Sequence, residues 1–430
     1  MAGPPGVSLL GDSVLDPTAL YFVSYQGIVN NASYQQHGLL THAGHQYAAW
    51  YTASRHAVVA RRRLPHGIWE PVRLAHQLSV DDSHNTISLG LSPADGMLHV
   101  AMDTHDNAVF YSTLEGPVRR TLGDLDLGSI TYPRFLVTPE GRLQMSYRTG
   151  RSGNGAMELV EYDGAWHKVG AWSSPTGAYT VNGTTSASRN MYLHGLAYCR
   201  CARLHAAFTW REDNSAVLTH PGGLANHDTG YVYSDDRGRT WHNAAGDVVA
   251  RAGTDQLVAV DSPGLVVDPV GVDRALINQE CLVVDSVCRP HVVISYVPER
   301  FVPAVSDFVG ERERYGRVFH LYLDRERGWQ KTEIPVPLAA FGRSQLVLDS
   351  ADNAYLVLPY GRIITASAAS GWTDWTPRLE GAGLGAFGEV VVDRTRMGID
   401  GVLSILYQRP STGDEPSPIH VADFAIDPQH

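Results

Sequence analysis

Ser234-Asp-Asp-Arg-Gly-Arg-Thr-Trp241 reads as a strand end, a tight turn and the start of the next strand. Asp236 and Gly238 are the turn formers. A short carboxylate bonds nearby backbone N–H groups, and glycine takes the left-handed conformation without a Cβ clash. Trp241 opens the second strand with a large apolar ring that must be covered by another layer. Shorter versions of this turn, glycine and tryptophan recur at Gly67-Ile-Trp69, Gly164-Ala-Trp166, Gly328-Trp329 and Gly371-Trp372.

A second unit recurs around it: a turn, then a strand of mostly apolar residues. Copies begin at His45, Gly96, Gly141, Arg203, Arg289, Asn353 and Gly401. Seven copies divide the chain into units of roughly sixty residues, the size of a four-stranded blade with generous loops. No long amphipathic helix interrupts them. The pattern predicts an all-β chain, a seven-bladed β-propeller forming one domain over residues 1–430, closed by pairing its two terminal regions. A β-sandwich or β-helix does not account for tryptophan turns at blade-like intervals. In a propeller the ligand site lies at one mouth of the central channel, where strand ends from several blades meet.

Composition narrows the function. With 43% hydrophobic and 18% charged residues the chain is globular and not disordered. A formal net charge of −11 argues against nucleic acid as a partner. No apolar run is long enough to span a bilayer. The start, MAGPPGVSLLGDSV, lacks the basic and apolar regions of a secretion signal, so the chain is read as cytoplasmic unless a leader was removed. It is also read as a monomer. Basic residues are almost all arginine, the only lysines being Lys168 and Lys331. Arginine grips a carboxylate through two parallel hydrogen bonds. The four cysteines, Cys199, Cys201, Cys281 and Cys288, show no CxxC spacing. They read as small buried thiols, with a zinc site of Cys281, Cys288, His291 and a distant histidine as the alternative.

The stretch from Asp81 to Asn107 reads as a hairpin whose strands alternate faces around the turn Ser92-Pro-Ala-Asp-Gly96. It brings His84 and His105 to the same end, with Asn85 beside them. Similar positions in other blades carry Tyr132 in Ile130-TYPRF-135, Arg148 in Ser146-YRTGRSGNG-155, Arg211 after Trp210, Asn278 before Cys281, and Arg343 before Gln345. Taken singly, a strand-end arginine is a solvated surface group and a histidine is a satisfied partner of a carbonyl. Gathered together they form a basic, proton-handling pocket. The glycines after Arg148 allow the backbone to approach a ligand closely.

That inventory suits β-elimination at a uronic acid. Arginine neutralises the C5 carboxylate and acidifies the C5 proton, a neutral histidine removes that proton, and a tyrosine hydroxyl protonates the departing C4 oxygen. No metal is required for this chemistry. A glycosidase needs two close carboxylates. Asp103, Asp106, Glu212 and Glu280 keep a sialidase-like hydrolase open, and a non-catalytic carbohydrate-binding propeller is the other alternative.

At these residues the chain resembles the seven-bladed propeller polysaccharide lyases with sialidase-type (BNR, or Asp-box) repeats. The stretches that carry the likeness are Asp82-SHNTISLG-90 with Asp103-THDN-107, Tyr132-PRF with Ser146-YRTGRSGNG, and the Ser234–Trp241 box. The likeness is greatest to the L-rhamnose-α-1,4-D-glucuronate lyases that trim gum arabic, with ulvan lyases as relatives. It implies that His84 and His105 are the active-site histidines, with His105 favoured as base. It implies that Tyr132 is the catalytic tyrosine, that Arg148 orients it or eases its ionisation, and that Arg211 neutralises the carboxylate. Asn85, Asn278 and Arg343 are implied sugar-binding residues. The implied partner is a uronic-acid-containing polysaccharide or oligosaccharide, releasing rhamnose from rhamnosyl-glucuronate ends, or ulvan as the alternative. Ulvan lyases carry a structural zinc, so a structural metal ion is compatible with the resemblance.

Overall fold

A computed structural model describes the chain except residues 1–2, 35–36, 115–121, 123–124, 126 and 428–430. Among the described residues the strands assemble into seven small sheets, and the only α-helices are Phe308–Tyr315 and Arg394–Asp400. Each of the seven recurring strands read from the sequence is a strand of a different sheet: His45–Tyr51, Leu98–Met102, Leu143–Thr149, Leu204–Glu212, Pro290–Tyr296, Ala354–Leu358 and Val402–Gln408. No helix is long and apolar enough to cross a membrane among these residues.

By packing, the chain divides into two compact units, residues 1–135 with 344–430 and residues 136–343. The first unit holds four sheets. One of them joins the chain's two ends: Gly6–Ala19 pairs antiparallel with Ser417–Asp427, from Gly6 opposite Asp427 to Ala19 opposite Ser417. Ser417–Asp427 pairs in turn with Val402–Gln408. The terminal regions therefore share one sheet, as the repeat pattern requires.

The sheet of the first unit that matters for function is Ile87–Leu91, Leu98–Met102 and Phe110–Thr113. Its register runs from Ile87 opposite Met102 to Leu91 opposite Leu98. The sequence reading has His84 open the first strand, with side chains alternating between faces. The strand begins only at Ile87, and all its residues are buried on both faces. Ile87, Leu89, Val100 and Met102 join Tyr51, Val59 and Leu74 of the neighbouring sheet in one apolar core. A sheet covered on both sides reads as apolar throughout, as these strands do. His84 is thereby left in the turn before the strand.

In the second unit the Ser234–Trp241 turn forms as read. Asp236 Oδ1 accepts the backbone N–H of Thr240 at 2.7 Å and of Arg239 at 3.1 Å, and the Ser234 hydroxyl donates to the same oxygen at 2.8 Å. Arg237 and Gly238 both have positive φ, 61° and 84°. Trp241 is fully buried and stacks on Trp172 at 4.2 Å between ring centroids, between adjoining sheets of this unit. Trp329 likewise meets Tyr231 edge-on at 5.2 Å. The tryptophans are interlayer packing, which is why they recur.

Candidate active site

His84, His105 and Tyr132 meet in the first unit. The residue that gathers them is Asp82. Its Oδ1 accepts the backbone N–H of His84 at 2.8 Å, closing a tight turn from an aspartate onto the residue two ahead. The same oxygen lies 2.5 Å from His84 Nδ1, and Oδ2 lies 2.6 Å from His105 Nδ1. One carboxylate thus holds two imidazoles, whose rings stack at 4.3 Å with 28° between planes. Burial opposes ionisation of Asp82, but the hydrogen bonds from His105 and His84 outweigh it and hold the carboxyl well below the usual carboxylate range.

Tyrosines frame the pair. Tyr34 stacks on His84 at 5.3 Å and meets Tyr132 edge-on at 5.4 Å. Tyr25 meets the edge of His84 at 4.5 Å. Tyr132 lies 5.9 Å from His84 and 6.2 Å from His105 between centroids, near-parallel to the latter ring at 29°. The Tyr34 hydroxyl donates to the Ser83 carbonyl, which ties the tyrosine to the histidine turn. Tyr132 has φ +57°, the left-handed region that a bulky aromatic avoids. Its neighbours hold it there. Thr131 Oγ1 accepts the Asp106 N–H at 2.9 Å and donates to Asp106 Oδ1 at 2.8 Å, and Ile130 bridges to Asn107. Strain imposed on one residue by an over-determined surround is a mark of functional sites.

Asn85 is 3% exposed. Its carbonyl accepts the Tyr51 hydroxyl at 2.9 Å, and its buried side-chain oxygen has no partner among the described residues.

The other expected residues stand in the second unit. Arg148 is 1% exposed; its Nη1 donates to the Tyr192 hydroxyl at 2.9 Å. Arg211 is half-buried near the end of Leu204–Glu212, and its side chain makes no hydrogen bond or ion pair among the described residues. Asn278 and Arg343 hold each other: Arg343 Nε donates to the Asn278 carbonyl at 2.7 Å and Nη2 to its side-chain oxygen at 3.0 Å. The glycine-rich loop after Arg148 packs on its own chain. A Cβ on Gly155 would fall 1.9 Å from the Thr149 carbonyl oxygen and 2.6 Å from Asn190, so Gly155 is there for internal packing rather than ligand approach.

Asp82, Tyr34, Tyr25 and Tyr192 were not assigned roles from sequence. Asp82 had a signal: an aspartate two residues before His84 is an aspartate-turn spacing, and its freed oxygen can serve a second group. Tyr34 and Tyr25 carried none, because they come from a distant loop.

The acidic residues that kept a glycosidase open are each committed. Asp103 accepts from His76 at 2.9 Å and from the Ser79 N–H at 2.8 Å. Asp106 is tied to Thr131. Glu212 binds Arg189 at 2.8 Å and His227 at 3.0 Å. Glu280 accepts the Ser295 hydroxyl at 2.5 Å.

Among the described residues two groups offer metal-binding atoms within 4.8 Å of one another, Cys199–Cys201–Cys288 and Asp82–His84–His105. In the second, the Nδ1–oxygen separations of 2.5 and 2.6 Å are those of hydrogen bonds. A cation with ligands about 2.1 Å away would hold them about 3 Å or more apart. The thiol group fits a soft cation. Cys199 is pushed up to about 12 by burial and by the neighbouring Cys201 and Cys288 thiols, a strain that a cation would relieve. His205 lines the same cavity as Cys201 and Cys288; it is 2% exposed, and its buried Nε2 has no partner among the described residues. The set read from sequence is corrected: Cys281 is not in the group, and His291 is engaged with His320 at 2.9 Å and with Asp285 at 3.3 Å.

Several known proteins resemble the chain. It is 25% identical over 276 residues to the long isoform of ulvan lyase from Alteromonas sp. (strain LOR), and the alignment covers 50% of this chain and 27% of that protein. The long isoform of ulvan lyase from Pseudoalteromonas sp. (strain PLSV) is also 25% identical, with the same coverage. The chain thus spans about a quarter of the length of these curated relatives. Among solved structures, polysaccharide lyase Uly1 superposes with a TM-score of 0.72 at 16% identity, covering 98% of this chain and 100% of that one. A PL25 ulvan lyase bound to -[GlcA(1-4)Rha3S]- gives 0.67 at 10% identity, covering 95% and 94%. These likenesses establish a shared fold. The family model described as BNR repeat-containing family member matches residues 45–336, more than half of the sequence, and the chain belongs to that family.

Proposed function

We propose that the chain is a polysaccharide lyase that cleaves the glycosidic bond to the C4 oxygen of a uronic acid by β-elimination. The observation that carries this reading is the stacked pair His84 and His105, held on one carboxylate beside a conformationally constrained Tyr132. In the proposed reaction the C5 proton passes to an imidazole Nε2, His105 in preference to His84. The C5–H electron pair becomes the C4–C5 double bond as the C4–O4 bond breaks. O4 leaves with a proton from Tyr132 or from the imidazolium just formed. The products are an unsaturated uronate and a free hydroxyl, so atoms and charge balance without a co-reactant. Arg211, with no partner of its own, is proposed to neutralise the substrate carboxylate, and Arg148 to act in the proton-donating machinery. Asn85, Asn278 and Arg343 are proposed sugar contacts.

The commitment of every candidate acid to an internal partner weighs against a glycosidase. We further propose that the seven sheets are the blades of one propeller, that the preferred substrate is a rhamnosyl-glucuronate end such as gum arabic presents, and that Cys199, Cys201 and Cys288 hold a structural zinc ion. Ulvan is the second substrate reading, favoured by the similarity to ulvan lyases.

The test is ultraviolet absorbance of the unsaturated product on gum arabic and on ulvan. Wild type is expected to generate it on at least one, with Tyr132→Phe and His105→Ala each slowed by about 100-fold or more. Reducing sugar without absorbance would make the enzyme a hydrolase, and binding without turnover would make it a lectin-like propeller.

A further inference from the structure

We infer that Asp82 is the positioning residue of this site: it sets both histidines in the tautomer that presents an unprotonated Nε2 to the substrate. This rests on the lyase reading for its purpose, but not for its geometry. The argument is donor and acceptor counting. An ionised carboxylate has only acceptors. Asp82 faces His84 Nδ1 with one oxygen and His105 Nδ1 with the other, at 2.5 and 2.6 Å. Both Nδ1 atoms must then carry hydrogen. In the neutral ring that leaves the lone pair on Nε2, on the side away from Asp82. Hydrogen bonds to Asp82 keep its carboxyl ionised.

Asp82 is itself held in place. The His84 N–H on Oδ1 orients the carboxylate, and Ser83 is pinned on either side of it: its N–H donates to Ser24 Oγ at 2.7 Å and its hydroxyl to the Ser24 carbonyl at 2.8 Å. The stacking of His84 between Tyr34 and His105 prevents either ring from flipping without displacing the other. One carboxylate therefore prepares a base and its neighbour together. Asp82 does not touch the reacting atoms.

The experiment is nitrogen-15 NMR on the full chain labelled at histidine, with the two signals assigned by their loss in His84→Gln and His105→Gln. In wild type both neutral rings are expected to show protonated Nδ1 and unprotonated Nε2. Asp82→Asn offers one oxygen acceptor and one NH₂ donor, so one of the two rings must change to the opposite tautomer. kcat should fall about 100-fold or more, with KM changed by less than about threefold, because binding groups are untouched while the base is misprotonated. An Nε2-protonated tautomer for either ring in wild type overturns the inference, and needs no variant to fold. So does an Asp82→Asn protein that keeps both Nδ1–H tautomers and wild-type kcat. Failure of the lyase reading is separable: the wild-type tautomers would stand while no uronate polysaccharide gave unsaturated product.

Discussion

Two arginines on paired strands differ in what their charge is for. Arg189 and Glu212 stand opposite each other in the ladder, both fully buried, and the guanidinium grips the carboxylate through Nε at 2.8 Å and Nη2 at 3.0 Å. Arg211, one residue before Glu212, has no such partner. Arg189→Ala should lower stability by about 3–5 kcal/mol by taking the guanidinium from buried Glu212 and leaving only His227 to face its charge. Arg211→Ala should change stability by less than about 0.5 kcal/mol while reducing kcat/KM by about 100-fold or more. Chemical denaturation and the absorbance assay read the two quantities apart. Equal loss of folding in Arg211→Ala would assign it a structural role. At Tyr132 the +57° backbone is held by the hydrogen bonds between the preceding Thr131 and Asp106.

At the scale of elements, the turns carry what the strands cannot. Cys199 and Cys201 sit in the turn between Thr184–Tyr198 and Leu204–Glu212, and Cys288 in the turn between Cys281–Val284 and Pro290–Tyr296. A cation on their thiolates would staple two hairpins of neighbouring sheets. The expected outcome is one zinc ion per chain by elemental analysis, and a lowered thermal midpoint on chelation or in Cys288→Ala. Metal-free protein with three titratable thiols and an unchanged midpoint under chelator would remove the staple. Here sequence reading was partial. It grouped Cys281 with His291 because spacing along the chain was the only guide, and strand pairing between separate hairpins decides which thiols meet.

Across the whole molecule, buried neutral histidines make stability depend on pH. Burial pulls His99, which is 0% exposed, down to about 4, and pulls His320 well below its ordinary value, aided by His291. Below about pH 6.5 the unfolded chain binds protons at these positions and the folded chain does not. Each histidine therefore costs about 1.4 kcal/mol of stability per pH unit as pH falls from 6.5 toward its folded value. His227 acts in the opposite sense: burial alone would lower it, but its hydrogen bonds to Asp228 and Glu212 raise it, so its stabilisation is complete below pH 6.5 and is lost at higher pH. Burial pulls His37 and His205 down to about 3 in the same way, and the His227 contribution is already complete in this range, so unfolding free energy from urea titrations is expected to fall between pH 6.5 and 5, whereas a flat or rising profile would place protons on His99 and His320 in the folded state. The Asp82 contribution lies lower, being lost only as pH falls below the unfolded carboxylate value of 3.8. Repeated strands, tryptophan turns and the sheet shared by both termini were legible in the sequence alone, because period, turn chemistry and apolar content are local properties that every repeat states again. The meeting of His84 with His105 at one end of their hairpin was legible too. What only the tertiary structure decided was pairing at a distance: the two imidazoles on Asp82, Tyr34 against His84, Arg343 on Asn278, and the thiols that converge. Those are contacts between side chains remote in sequence, and no spacing along the chain encodes which oxygen a given nitrogen will find.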